Sequence, residues 1–70
     1  MNFKFILGVD MSKEWFNFCL MNKELEILWE GEIVNSPDPI VTFLSDLSKR
    51  KELVESQTTL SEVTLVLEHT

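Results

Sequence analysis

The chain is poor in several things at once. One cysteine, Cys19, in seventy residues leaves no internal disulfide to form, which excludes the stapled secreted scaffolds that small domains often adopt. Two glycines and two prolines exclude collagen-like and linker-like sequence. No apolar run approaches the roughly 18 residues of a membrane span, so no membrane partner is expected. The opening Met1-Asn2-Phe3-Lys4-Phe5 lacks the longer apolar core and small-residue cleavage site of a secretory leader, and a cytoplasmic location is the expectation. Cations are scarce too. Six basic against twelve acidic residues set the net charge at −6, which equips the chain poorly for holding a phosphate backbone by electrostatics.

What is present suffices for one small folded domain. A hydrophobic fraction of 44% is too high for a disordered tail. A chain of this length buries only about 60% of its unfolded surface, which leaves no room for a second core.

The run Phe3 to Val9 is almost wholly apolar and reads as a central strand buried on both faces. Asp10-Met11-Ser12-Lys13 breaks it. From Trp15 to Met21 a second strand alternates Trp15, Asn17, Cys19 and Met21 against Phe16, Phe18 and Leu20. After the polar Asn22-Lys23-Glu24, a third strand sets Leu25, Ile27, Trp29 and Ile33 against Glu26, Glu30 and Glu32, a wet face that suits a guarded outer position. The three form an antiparallel meander.

Asn35-Ser36-Pro37-Asp38-Pro39 is turn chemistry, and Asp38 before Pro39 predicts a helix N-cap. Ile40, Phe43, Leu44 and Leu47 then share one helical stripe, and Lys49-Arg50-Lys51 reads as a solvated helix end. Glu52 to Ser61 reads as helix end plus linker. Val63 to Leu67 is a fourth strand, again expected to be buried on both faces. A compact domain rarely finishes on such a strand, so residues 1–70 read as an N-terminal fragment, with the missing neighbour C-terminal to Thr70 or on another copy.

Two carboxylates close the two buried runs, Asp10 the first and Glu68 the fourth. With a right-handed helical crossover those strands run parallel and side by side. At a strand spacing of ~4.8 Å, Asp10 and Glu68 can then share a divalent cation, with Mg²⁺ the natural candidate and Mn²⁺ its substitute. Paired carboxylates repel and cost stability unless a cation neutralises them. By pattern alone, an aspartate after a strand is ordinarily a turn residue and a glutamate at a strand end is ordinarily solvated.

The residues around both acids add to this. Gly8-Val9-Asp10-Met11-Ser12-Lys13 and, one strand-helix-strand later, Glu68-His69-Thr70 resemble the N-terminal part of the RuvC-like catalytic domain of DEDD transposases of the IS-one-ten insertion-sequence group. That family opens on Gly-(Ile/Val)-Asp-x-Ser-Lys and carries Glu-x-Thr before a glycine. The resemblance spans nearly the whole chain, with His69 standing where the family commonly has a small residue. It implies a truncated ribonuclease-H-like α/β fold of strand order 3-2-1-4, with Asp10 and Glu68 as the first two of four metal-binding acids. It also implies Mg²⁺-dependent DNA cleavage and strand exchange in bacterial transposition, guided by a structured RNA, by a full-length protein that assembles as a homo-oligomer. The remaining acids and a nucleophilic serine lie outside these residues, so the fragment alone is expected to be inactive.

Other residues read plainly. Ser12 and Lys13 stand beside the acids as candidate nucleic-acid contacts, although a hairpin lysine is ordinarily solvated. His69 has no spaced partner and reads as a local hydrogen-bonder rather than a metal ligand or base. Cys19 reads as a structural thiol, and Trp15 and Trp29 as packing residues rather than base-stacking platforms. An actin-like or sugar-kinase ATPase also opens on Gly-x-Asp, but Met11-Ser12-Lys13-Glu14 lacks the glycine with which such loops approach phosphate. A Holliday-junction resolvase of RuvC type and a non-catalytic acidic α/β module that pairs through a strand edge are the alternatives.

Overall fold

The computed structural model describes residues 4–69, His69 by its backbone alone. The expected start of the first strand at Phe3, the Thr70 match and the reading of the His69 side chain lie outside the described residues. Four strands, β1 (Phe5–Met11), β2 (Trp15–Asn22), β3 (Ile27–Val34) and β4 (Thr64–His69), form one sheet of order β3-β2-β1-β4. β1 pairs antiparallel with β2 and β2 with β3, and β4 lies parallel to β1. The expected meander and strand order are therefore present. The crossover differs in having two helices, α1 (Pro37–Ser48) and α2 (Lys51–Glu55), followed by a 3₁₀ turn over Leu60–Glu62.

Register decides which side chains share a face. Val9 pairs with Phe18 and Leu7 with Leu20, and these side chains join Phe43 and Leu47 of α1 and Leu53 of α2 in the core. Leu20 and Leu53 are fully buried. Phe18 lies edge-on to Trp29 at 4.7 Å and tilted on Phe43 at 4.5 Å, contacts worth about 0.5–1.5 kcal/mol each beyond the area they bury. Gly31 is part of this packing, because a Cβ there would come within 3.1 Å of the Phe18 ring.

Several expectations are corrected. Helices cover one face of the sheet only, so β1 is central but not enclosed on both sides. β4 is an outer strand on which Leu65, Val66 and Leu67 are all exposed. A continuous apolar run encodes two covered faces, but the cover itself belongs to other elements, and among the described residues only one helical layer is present. The turn into β3 is longer than its polar tripeptide. Asn22 Oδ1 accepts from the N–H groups of Glu24 and Glu26 at 3.0 Å each, and Leu25 takes φ 66° in the loop. A register shift between Leu20 and Met21 then turns Leu28 rather than Ile27 towards the core, and Ile27 is exposed.

The α1 N-cap is Ser36 with Pro37 first in the helix. Proline is tolerated there because no hydrogen bond is lost, and Asp38 falls inside the first turn, where an acid suits the helix dipole. The apolar stripe narrows to Phe43 and Leu47, leaving Leu44 largely exposed. Lys49 ends α1, whereas Arg50 is no solvated helix end. Its guanidinium lies 4.9 Å over the Trp29 ring, donates to the Leu28 carbonyl at 3.2 Å and pairs with Glu52. Trp29 packs as expected, but Trp15 is exposed.

Candidate functional site

Asp10 and Glu68 sit opposite each other in the β1–β4 register. Paired residues in a ladder point to the same side, and alternation from the buried Leu7 and the core-packed Val9 puts Asp10 on the face that no helix covers. On its other side Asp10 pairs with Asn17 of β2, which pairs in turn with Glu32 of β3. One row therefore crosses the whole sheet as Glu68, Asp10, Asn17, Glu32. It runs along a cleft of about 670 Å³ whose floor includes Gly8 and Cys19.

Within that cleft the Asp10 carboxylate is the anomaly. Its Oδ1 is buried and has no hydrogen-bond partner among the described residues. An unsatisfied buried acceptor costs about 1–3 kcal/mol and more when charged, so this atom calls for a donor or cation that the described residues do not supply. Glu68, on the outer strand, is exposed. Gly8 keeps the floor beside the row open, and its hydrogen is not demanded by packing, since an added Cβ would only reach ordinary contact with the Cys19 carbonyl at 3.9 Å.

The donor set fits one end of a Mg²⁺ site, because Mg²⁺ takes one or two protein carboxylates and fills the rest of its shell with water or phosphate oxygens. It does not make a closed protein cage. Among the described residues no group of three or more His, Cys, Asp or Glu side chains gathers to hold a metal.

The neighbouring residues divide. Ser12 belongs to the β1–β2 turn: its hydroxyl donates to the Trp15 carbonyl at 3.0 Å and accepts from the Trp15 N–H at 3.3 Å. Lys13 is exposed in the same turn. Asn35 holds that turn against the end of β3, donating through Nδ2 to the Ser12 and Lys13 carbonyls at 3.2 Å each. Cys19 faces the same cleft, but burial and then the facing Glu30 carboxylate push its thiol above its ordinary value, which suits a structural thiol and not a nucleophile.

Sequence reasoning missed Asn17 and Glu32 as members of the row. The signal was the hairpin register: a short turn between Asp10 and Trp15 sets Asn17 across from Asp10, and the second hairpin carries the row on to Glu32. No family model, curated protein or solved structure matches the chain.

Proposed function

We propose that residues 1–70 are the N-terminal part of a RuvC-like catalytic domain and supply the first two carboxylates of a Mg²⁺-dependent DNA-cleaving site of the kind the resembled DEDD transposases use. The observation that carries this reading is the in-register pair Asp10 and Glu68 on adjacent parallel strands, with Asp10 Oδ1 buried beside an open cleft and without a partner among the described residues. When bound, a divalent cation supplies charge neutralisation at the scissile phosphate and a more acidic water. The chain's own residues hold that position. β1 fixes Asp10 at the centre of the sheet, β4 brings Glu68 alongside, and Gly8 leaves space for a phosphodiester. DNA is then the partner through the cation, which offsets the unfavourable net charge, with Ser12 and Lys13 at the rim. A structured RNA and a second copy of the complete protein are the further partners of this reading.

The test is a titration of the ¹⁵N-labelled chain with Mn²⁺, with Asp10→Asn as control. Selective broadening of amide signals around Asp10 and Glu68 together, abolished in the variant, is the expected result. Broadening spread over Glu24, Glu26, Glu30 and Glu32 with Asp10 and Glu68 untouched would overturn it. In the complete protein, Asp10→Asn and Glu68→Gln should each abolish strand cleavage and leave RNA binding intact; retained cleavage would end the transposase reading.

A second reading, a non-catalytic acidic module, is favoured by β4, whose Leu65, Val66 and Leu67 are exposed on an unpaired edge. Under it Mn²⁺ finds no selective site.

A further inference from the structure

The opposite edge of the sheet has a different chemistry. β3 is the last strand on its side among the described residues. The Asn35 N–H donates to the Glu14 carbonyl at 2.8 Å, and hydrogen-bonded pairs alternate along an antiparallel ladder. By that alternation Gly31 and Ile33 direct their backbone groups to β2, and Leu28, Glu30 and Glu32 direct theirs outward. Leu28 bears this out, since its carbonyl is taken from outside the sheet by the Arg50 guanidinium at 3.2 Å. The same guanidinium rests on the Trp29 ring at 4.9 Å. The protein thus already binds one cation at this edge through an outward carbonyl and an aromatic face.

Beyond Arg50 the edge continues into a cleft of about 570 Å³ between β3 and α1. Trp29 and Phe43 line it, and Glu30, Glu32, Asp38 and Asp46 are its charged groups. Gly31 places no side chain on the α1 side of the strand at this point, and the backbone is exposed there. The cleft thus combines outward backbone groups at Glu30 and Glu32, an aromatic wall, and four carboxylates with no cation among its lining residues.

We propose that this edge docks an extended segment of a partner protein in which basic and apolar residues alternate, added as a fifth strand alongside β3. Strand addition draws affinity from main-chain hydrogen bonds and specificity from alternate side chains. The partner's basic side chains fall beside Glu30 and Glu32 on the open face, where opposite charges across a ladder attract. Its apolar side chains fall on the α1 side, towards Trp29 and Phe43, which line the cleft there. The occupant is settled by charge: four acids repel a second copy of this edge, and they repel nucleic acid. This surface shares Glu30, Gly31 and Glu32 with the cleft beside Asp10, but it needs neither Asp10 nor Glu68 and so stands without the metal-site reading.

The experiment is an NMR titration of the ¹⁵N-labelled chain with a capped peptide of alternating lysine and valine, and with the same peptide N-methylated at alternate residues. Expected are shift changes centred on Glu30, Gly31 and Glu32, affinity about tenfold weaker in the Glu30→Lys, Glu32→Lys double variant, and no binding of the methylated peptide. Equal binding of the methylated peptide would reduce the effect to bulk charge and overturn strand addition. Shifts centred on Asp10 and Glu68, or on β4, would overturn the location. Neither charge reversal sits in the core, so the variant is expected to fold, and its unperturbed amide spectrum is the check.

Discussion

On the side of the sheet turned to the helices, Leu7, Phe18 and Leu20 are buried against Phe43, Leu47 and Leu53. On the other side, Gly8, Asp10, Asn17, Glu30 and Glu32 border an open cleft. The two glycines sharpen the contrast. Gly31 belongs to the covered side, and a Cβ there would press on the Phe18 ring at 3.1 Å; Gly8 belongs to the open side, and a Cβ there would meet nothing closer than 3.9 Å. The covered side is determined by packing, where each atom has a neighbour that stabilises it. The open side holds the Asp10 Oδ1, a buried carboxylate oxygen with no hydrogen-bond partner among the described residues.

The largest expected effect is on the covered side. Leu53→Ala should cost about 2–5 kcal/mol, and since domains of this size hold only a few kcal/mol in total, the variant should be largely unfolded by far-ultraviolet circular dichroism at 25 °C. A native spectrum and an unchanged urea midpoint would show that α2 does not complete the core.

The glycine pair gives the next largest difference. Gly31→Ala should lower stability by about 1–3 kcal/mol through overpacking against Phe18, whereas Gly8→Ala should be neutral or stabilise by up to about 1 kcal/mol, as alanine ordinarily does within a strand. Urea midpoints measured side by side decide it, and equal losses at both positions would erase the distinction between the faces.

Asp10→Asn reverses the usual sign of a mutation. Replacing this half-buried carboxylate, whose Oδ1 has no partner among the described residues, by a neutral amide beside Glu68 should stabilise the metal-free chain by up to about 1 kcal/mol. Adding Mn²⁺ should raise the melting temperature of the parent chain and not of the variant. A destabilised variant would make Asp10 an ordinary structural hydrogen-bonder.

The smallest effect is the pH dependence, which arises near the crossover connection. The Glu52 carboxyl is held below its ordinary value near 4.5, chiefly by its own backbone N–H; burial opposes this, and Arg50 and Lys51 lower it further. Glu62 is lowered by the Thr59 backbone and hydroxyl. A group depressed in the folded state stabilises fully above its unfolded value, and that contribution is lost as pH falls through the folded one. The melting temperature should therefore be flat between about pH 5 and about pH 8 and fall below about pH 4.5, with the acid fall shallower in Glu62→Gln. An identical profile in that variant would remove Glu62 from the account.

Much of this was legible without coordinates. The apolar run ending at Val9, the alternation from Trp15 to Met21 and the acids of the third strand follow from a period of two. A helix after the Asn35–Pro39 turn follows from a period near 3.6, although its N-cap is Ser36 rather than Asp38. The antiparallel meander follows from short polar turns, and one long connection permits a parallel return; the order 3-2-1-4 is what the family resemblance implies, and this strand reading agrees with it. Asp10 and Glu68 were visible as the residues that end two apolar runs.

Other features depended on distances the sequence does not carry. Nothing local marks Arg50 as the residue that stacks on Trp29, because the two are brought together by the turn between α1 and α2. Nothing local tells Ile27 from Leu28 either, because a single register shift beside Met21 exchanges their faces.

By itself the sequence determined the four strands, their antiparallel meander, the helix that follows and the two acids, since these depend on periodicity and turn chemistry, which act between near neighbours. Only the tertiary structure decided that, among the described residues, one face stays open, Asn17 and Glu32 extend the row of Asp10 and Glu68, and Asp10 Oδ1 has no partner. Those outcomes depend on register and on which layer covers which face, and both are settled by contacts between residues far apart in the chain.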